Sequence, residues 1–402
     1  MKRRLRTLVI PVLSVVIGLL GALIVAEIAV RLVLPPRPVM TFLSPQTGEP
    51  TGTSPELSSW QDPSHGGMTY DTPTGRRLRP GLRIRVDRNP LSGNSIELRT
   101  NALGFRGPEI HPIKTEPRVL FLGDSITLSD YLNEDETFVV QTARELKRRR
   151  RPMETINAGV GSIALQDEIA LLHEKGLSVR PDWVVLDFYL NDFRPSPAAK
   201  LSRLPSWLDR SELAYAFFRS LAQFRFTVTE RLLYGMSVME FKKWQAEIVD
   251  RFPPGPGDPR KDRAAFYRLV QEAANDWGSA WSPKAWEQFA VQFRNLRDTL
   301  KAKGIRLLVV AFPVRAQVEA EFVESFPQEQ LAALSKSLGF PMLDLLPKLR
   351  SLEHGRESKR FPMFPIFYDH CHHTPEASRA IATWIAEAIL TRSWPTITVS
   401  SK

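Results

Sequence analysis

Arg118-Val-Leu-Phe-Leu-Gly-Asp-Ser125 decides the fold of this chain. Val119–Leu122 is an apolar run too short for a buried helix and of ordinary strand length, and it stops at a Gly-Asp-Ser turn. Four further runs read the same way. Thr155–Ala158 ends at Gly159, Trp183–Leu190 is followed by Asn191-Asp192, Arg306–Phe312 is followed by Pro313, and Met342–Leu345 is short. Uninterrupted apolar runs, rather than alternating ones, fit parallel strands covered on both faces.

Helical patterns lie between these runs. Leu165, Ile169 and Leu172 recur at helical spacing, and Gly176 stands as a stop signal. Trp286, Phe289, Phe293, Leu296 and Leu300 step by three and four, and so do Ile381, Trp384, Ile385, Ala388 and Ile389. Strands alternating with helices imply an α/β protein with a mostly parallel, five-stranded sheet. In such sheets ligands sit beyond the carboxyl ends of the strands. Gly123-Asp-Ser125, Gly159–Ser162 and Asn191-Asp192 should therefore converge.

Residues 193–284 interrupt this alternation. They hold an aromatic-rich, helical stretch (Tyr215, Phe217, Phe218, Phe224, Phe226) and a breaker cluster at Pro253–Gly257, which suits a cap beside the site or an extra packing layer. Residues 37–116 are rich in Pro, Gly, Ser and Thr. Within them Leu82–Val86 and Ser95–Arg99 alternate like strands of a small accessory layer.

The N-terminus has its own logic. Leu8–Ala26 carries no charge, and the apolar character resumes to Leu34 past Glu27 and Arg31. That length spans a bilayer as a helix. Lys2, Arg3, Arg4 and Arg6 precede it, which places the N-terminus in the cytoplasm and the rest of the chain on the extracytoplasmic, periplasmic side. Glu27 and Arg31 can pair on one face, and Pro35-Pro36 ends the helix. The rival reading is a cleaved signal peptide, but no clean small-x-small site follows the run.

The net charge is +10 in 402 residues. Half of it lies in residues 1–38, where six basic residues face Glu27 alone, and the remainder is too diffuse to argue for nucleic acid. With Cys371 as the one cysteine, no intramolecular disulfide can form.

The chemistry points to acyl transfer. A serine hydroxyl needs a contacting base, and the base needs an orienting group. Ser125 on its turn, His372 as base and Asp369 three residues before it supply all three in the order Ser…Asp…His. Backbone N–H groups of Ser125 and of the Gly159–Ser162 turn, and the Asn191 amide, are candidate donors to an oxyanion.

These residues resemble the SGNH/GDSL hydrolase superfamily, in its membrane-anchored bacterial form. Gly123-Asp124-Ser125 is similar to the nucleophile block, Asn157-Ala-Gly159-Val-Gly161-Ser162 to the glycine block, Tyr189-Leu-Asn191-Asp192 to the asparagine block and Asp369-His-Cys-His372 to the Asp-x-x-His block. Asn101-Ala-Leu-Gly-Phe-Arg-Gly107 resembles a stretch found upstream of the serine in anchored members. Three positions depart: Tyr189 replaces a glycine, Ala377 replaces another, and Gly161 or Ser162 could be the oxyanion position. The resemblance implies a three-layer α/β/α, flavodoxin-like sandwich over 117–395, with the insertion at 193–284, preceded by an anchor at 1–36 and the accessory segment at 37–116. It also implies catalytic Ser125, Asp369 and His372, with Ser125, Gly161 and Asn191 forming the oxyanion hole and no cofactor.

The expected activity is cleavage of O-acyl groups on envelope or secreted glycans, or of small esters, through an acyl-serine. An O-acyltransferase for exported polysaccharide would use the same residues, and a catalytically silent envelope assembly protein is the rival from another class. The expected partners are an acylated carbohydrate and the lipid bilayer along residues 8–34; the sequence assigns no oligomeric state.

Plainer readings compete for single residues. Ser125 could be only a helix N-cap and Asn191 only a turn residue, while Asp192 reads as structural. His370, Cys371, His372 and His373 carry metal-ligating side chains, but adjacent residues rarely point at one ion and no metal is expected. Lys147–Arg151 reads as a solvated helix end.

Overall fold

A computed structural model describes residues 2–33, 39–54, 68–72, 74–89, 91–193, 213, 257–274, 276–355 and 366–391. At its centre is a five-stranded parallel sheet of β7 (Arg118–Leu122), β8 (Glu154–Asn157), β9 (Trp183–Tyr189), β10 (Arg306–Phe312) and β11 (Met342–Asp344). Its spatial order is β11-β10-β9-β7-β8. The chain winds outward from β7 to β8, returns to the other side of β7, and continues through β9 to β11. This is the flavodoxin-like order, and its switch point lies between β7 and β9. Val119 pairs with Trp183 and Leu122 with Leu186, so the ends of β7 and β9 open on the same edge.

Every residue of β7 and β9 is buried. Helices cover both faces. On one, α3 (Phe138–Arg148) packs with α10 (Pro375–Thr391) and sets Phe138 against Phe121 and Phe312, with ring centroids at 6.1 and 5.6 Å. On the other, α4 (Leu165–Glu174) packs with α6 (Pro283–Ala302), whose Phe289 and Phe293 meet Phe188 at 5.8 and 5.9 Å. Registry explains the split, since Phe121 and Phe312 point to one side of the sheet and Phe188 to the other. The expected three-layer sandwich is thus present.

α4 ends at Glu174, just before Gly176, the expected stop signal. The chain continues through a 3-10 turn, Gly176–Val179, and a Cβ on the glycine would come within 2.9 Å of Leu120 Cδ2 and 3.0 Å of Leu172 Cδ1. The strand bounds shift by a residue. Trp183–Leu190 and Thr155–Ala158 each lose their last residue to the following turn.

The accessory segment forms a four-stranded antiparallel sheet of β1 (Val39–Leu43), β2 (Pro50–Ser54), β5 (Arg83–Asp87) and β6 (Ile96–Arg99), in the order β2-β1-β5-β6. A separate pair joins β3 (Thr69–Thr72) to β4 (Gly75–Leu78). Met40, Ile84, Val86, Leu98 and Phe105 share one hydrophobic core with the parallel sheet.

The described end of the 193–284 insertion is a packing layer. Here α5 (Arg263–Glu272) buries Phe266 against Trp281 and Phe322, while Glu324 accepts from Tyr267 Oη at 2.7 Å. The aromatic stretch 215–226 and Pro253–Pro256 lie outside the described residues. At the N-terminus α1 (Lys2–Val33) is a single helix whose Ser14–Leu32 part is long and apolar enough to cross a membrane, and Arg31 Nε donates to Glu27 at 2.8 Å. Lys147–Arg151 closes α3, with Arg148 and Arg149 both paired to Glu145 at 2.7 Å.

Candidate active site

The nucleophile turn is shaped by its glycine. A Cβ on Gly123 would meet Thr127 Oγ1 at 2.0 Å, so only glycine lets β7 turn directly into the short helix α2 (Ser125–Leu128). Asp124 caps α2, its Oδ1 accepting from Ile126 N–H at 2.8 Å. The N-cap reading therefore belongs to Asp124, not to Ser125, whose hydroxyl is left for other work.

That hydroxyl faces His372. Ser125 Oγ lies 2.9 Å from His372 Nε2, and His372 Nδ1 lies 2.8 Å from Asp369 Oδ2. The other Asp369 oxygen accepts from the backbone N–H of Cys371 at 2.9 Å and of His372 at 2.8 Å. A carboxylate can only accept, so Nδ1 carries the imidazole proton and Nε2 is the acceptor for Ser125. Asp369 is 3% exposed and His372 2%, so this chain of bonds is dry on both sides of the imidazole.

The electrostatics agree with the geometry. Burial alone would raise the Asp369 carboxyl, but the His372 and His370 imidazoles and the Cys371 N–H hold it below the usual carboxylate range. Burial alone would lower His372, but the Asp369 charge and hydrogen bond, with Asp124 and Asp130 further off, raise it above 6.5. His373 is pushed down to about 3, first by burial and then by His372. His370 Nδ1 stands 3.7 Å from Asp369, beyond hydrogen-bonding distance. Of the three histidines, only His372 touches both Ser125 and Asp369.

The same cluster has ligand-type atoms. Those of Asp369, Cys371 and His372 lie within 4.8 Å of one another. Both ring nitrogens of His372 are engaged, however, Nδ1 with Asp369 and Nε2 with Ser125. Burial, followed by the charges of Asp369 and Asp124, keeps the Cys371 thiol well above its normal range, hence neutral and a poor ligand or nucleophile.

The candidate oxyanion donors sit past three adjacent strand ends. Among the described residues, no group accepts a hydrogen bond from the Ser125 or Gly161 N–H. Val160 N–H donates to Gly123 O at 3.1 Å, which ties the glycine turn to the nucleophile turn. Ser162 takes φ +60°, so the left-handed position of that turn falls on serine. Gly159 is required for space, because its Cβ would lie 2.3 Å from Leu128 N. Asn191 occupies a turn, but Asp192 holds that turn by accepting from Tyr189 N–H at 3.0 Å. Among the described residues, none donates a hydrogen bond to the buried amide oxygen of Asn191. Tyr189, where the family pattern has glycine, is the buried last residue of β9 and packs toward His370 at 6.5 Å.

Several supporting residues have no single-residue signal in the sequence. The Tyr131 ring meets the His372 ring edge-on at 4.9 Å, and its hydroxyl accepts from His373 N–H at 3.3 Å. Asn157 Nδ2 donates to Thr127 O at 2.7 Å, and its Oδ1 accepts from Gly159 N–H at 2.9 Å. Arg106, inside the upstream Asn101–Gly107 stretch, is buried and donates to the carbonyls of Leu128, Ser129 and Leu132. It thereby clamps the loop that follows the nucleophile.

No protein-family model matches the chain, and no curated protein matches it. Among solved structures the chain is similar to the acetyl xylan esterase AlAXEase, at 15% identity and TM-score 0.38 over 68% of this chain and 99% of that one. It is similar to a catalytic mutant of Axe2, an acetylxylan esterase from Geobacillus stearothermophilus, at 12% identity and TM-score 0.39 over 70% and 98%. It is also similar to a protein from Desulfitobacterium hafniense assigned to the G-D-S-L family of lipolytic proteins, at 10% identity and TM-score 0.36 over 68% and 99%.

Proposed function

We propose that this chain is a membrane-anchored serine esterase that cleaves O-acyl groups through an acyl-Ser125 intermediate. The observation that carries this is the continuous Ser125–His372–Asp369 relay at 2.9 and 2.8 Å. His372 Nε2 takes the Ser125 proton as Oγ attacks the ester carbonyl carbon. Asp369 keeps Nδ1 protonated and stabilises the imidazolium that forms. The tetrahedral oxyanion is held by the Ser125 and Gly161 N–H groups and the Asn191 side-chain amide, each donor supplying ~3 kcal/mol of barrier reduction. The intermediate collapses, the alcohol leaves with the proton from His372, and water repeats the sequence to release the acid.

The apolar span of α1 supports an anchored enzyme, and the basic residues before it support an extracytoplasmic catalytic domain. O-acylated carbohydrate of the envelope or secreted polysaccharide is the proposed substrate class, with the leaving alcohol a sugar hydroxyl.

The test uses the full chain in detergent. Hydrolysis of 4-nitrophenyl acetate and covalent labelling by a fluorophosphonate should both require Ser125, and Ser125→Ala should lower kcat by roughly 10⁵-fold or more with an unchanged melting temperature. Equal inactivity of wild type and Ser125→Ala across acyl chain lengths, with no label on Ser125, would show a binding protein and sink the esterase reading.

A further inference from the structure

Asn101-Ala-Leu-Gly-Phe-Arg-Gly107 lies between β6 and β7, and the relay itself does not use it. Its own hydrogen bonds fold it into a tight loop. Asn101 Oδ1 accepts from the N–H groups of Leu103 and Phe105, both at 3.0 Å, and Asn101 N–H donates to Phe105 O at 2.9 Å. Gly104 takes φ +80°, and a Cβ there would come within 2.6 Å of Leu78 O. Phe105 enters the core, and Arg106 N–H donates to Asn157 O at 3.0 Å, which fixes the loop on the end of β8.

The Arg106 side chain is buried and ends among carbonyls. It donates to Leu128 O and, at 2.6 Å each, to Ser129 O and Leu132 O. Leu132 N–H donates to Ser129 O at 2.9 Å, which closes a turn with Asp130-Tyr131 at its tip. Arg106 therefore holds both ends of that turn. At the tip, the Tyr131 ring meets the His372 ring edge-on at 4.9 Å, and the Tyr131 hydroxyl accepts from His373 N–H at 3.3 Å. A planar guanidinium reaches three carbonyls at fixed angles, which an ammonium does not. Burial pushes the guanidinium down to about 10, opposed by Asp130 and Glu134, so it stays charged at neutral pH.

We propose that Arg106 is a positioning residue of the active site: by gripping both ends of the 129–132 turn it holds Tyr131 against His372, and so keeps the imidazole in line between Ser125 and Asp369. It rests on the acyl-serine reading. The Asp369 bond fixes Nδ1 but leaves the ring free to tilt about that bond, and a packed neighbour removes this freedom. The 101–107 loop is then the frame that presents Arg106.

The single cysteine gives a readout that does not depend on catalysis. Cys371 is buried beside His372, so its reaction with a neutral maleimide reports how tightly that segment is packed. Tyr131→Ala should lower kcat by about thirty-fold with KM changed by less than about two-fold, and raise the Cys371 labelling rate by about ten-fold. Tyr131→Phe keeps the ring and should stay within about three-fold of wild type. Arg106→Ala and Arg106→Lys should each lower kcat by about ten-fold or more, again with KM held. Millimolar guanidinium chloride should restore part of the kcat of Arg106→Ala, and sodium chloride none. The double variant Arg106→Ala, Tyr131→Ala should be no slower than Tyr131→Ala within about two-fold, because the two side chains act as one unit.

All variants are measured as full chain in detergent, well below their melting temperatures, by 4-nitrophenyl acetate hydrolysis, fluorophosphonate labelling of Ser125 and maleimide labelling of Cys371. Wild-type kcat in Tyr131→Ala overturns the proposal. Additive losses in the double variant also overturn it, since Arg106 would then support the fold alone. If Arg106→Ala does not fold, Arg106→Lys takes its place in the same cycle. If wild type neither hydrolyses the ester nor labels at Ser125, the esterase reading fails by itself. Cys371 labelling then still decides the packing: equal rates in wild type, Arg106→Lys and Tyr131→Ala overturn the hold of Arg106 on the His372 segment.

Discussion

The two main sheets of this molecule are built from different alphabets. The parallel sheet is buried on both faces, so β7 and β9 are apolar or dry at every position. The accessory sheet is covered on one face only: Ile84 and Val86 of β5 are buried between partly exposed Arg83, Arg85 and Asp87, and β6 alternates buried Ile96 and Leu98 with exposed Glu97 and Arg99. Both sheets feed one core, yet only the parallel one leads to the proposed active site. Its strands all leave by the same edge, so three turns from distant parts of the chain meet there, whereas antiparallel strands scatter their ends over two edges.

The largest test of that division lies on the relay. Asp369→Asn should lower kcat by roughly 10⁴-fold, because an amide in place of the carboxylate selects the wrong imidazole tautomer. The pH profile sharpens the point. The base must be neutral, so kcat/KM in wild type should rise with pH to an inflection above 6.5, the direction in which the Asp369 charge moves His372. Asp369→Asn removes that charge, and the residual activity should show its inflection at lower pH.

Next in size is the accessory sheet. Ile84→Ala deletes a fully buried side chain from the shared core and should cost about 2–5 kcal/mol of stability, read by denaturant unfolding. The kcat of the folded fraction should stay within about two-fold, since Ile84 lies in β5 of the accessory sheet and not on a strand that leads to the site. A large loss of kcat would mean that the accessory sheet shapes the site directly, through the Arg106 clamp on Leu128–Leu132. The smallest effect is expected on the solvated face of the same strands. Glu97→Gln weakens an exposed 3.6 Å pair with Arg83, and its melting temperature should reflect less than about 0.5 kcal/mol.

Much of this was legible in the chain. Short, mostly apolar runs located the five parallel strands, most clearly β7, β9 and β10, whose burial leaves few polar positions to blur the signal. The alternating Leu82–Val86 and Ser95–Arg99 segments located β5 and β6 for the opposite reason. The relay residues were legible through their order and the three-residue spacing of Asp369 and His372, which lets one carboxylate reach both the imidazole and the backbone N–H of the same turn. Gly176 marked the end of α4, but the chain alone did not show that it also lies close to the Leu120 and Leu172 side chains. Tyr131 and Thr127 gave no signal, since they act through contacts with residues far away in sequence, His372, His373 and Asp187.

The sequence by itself determined the fold class, the apolar N-terminal helix and the set of reactive side chains, because these follow from local period, length and residue chemistry. Only the tertiary structure decided which serine contact, which histidine nitrogen and which buried carboxyls matter. Those depend on distances of a few ångströms between turns brought together by the parallel winding. They depend also on burial, which sets whether Asp369 is charged and Cys371 inert.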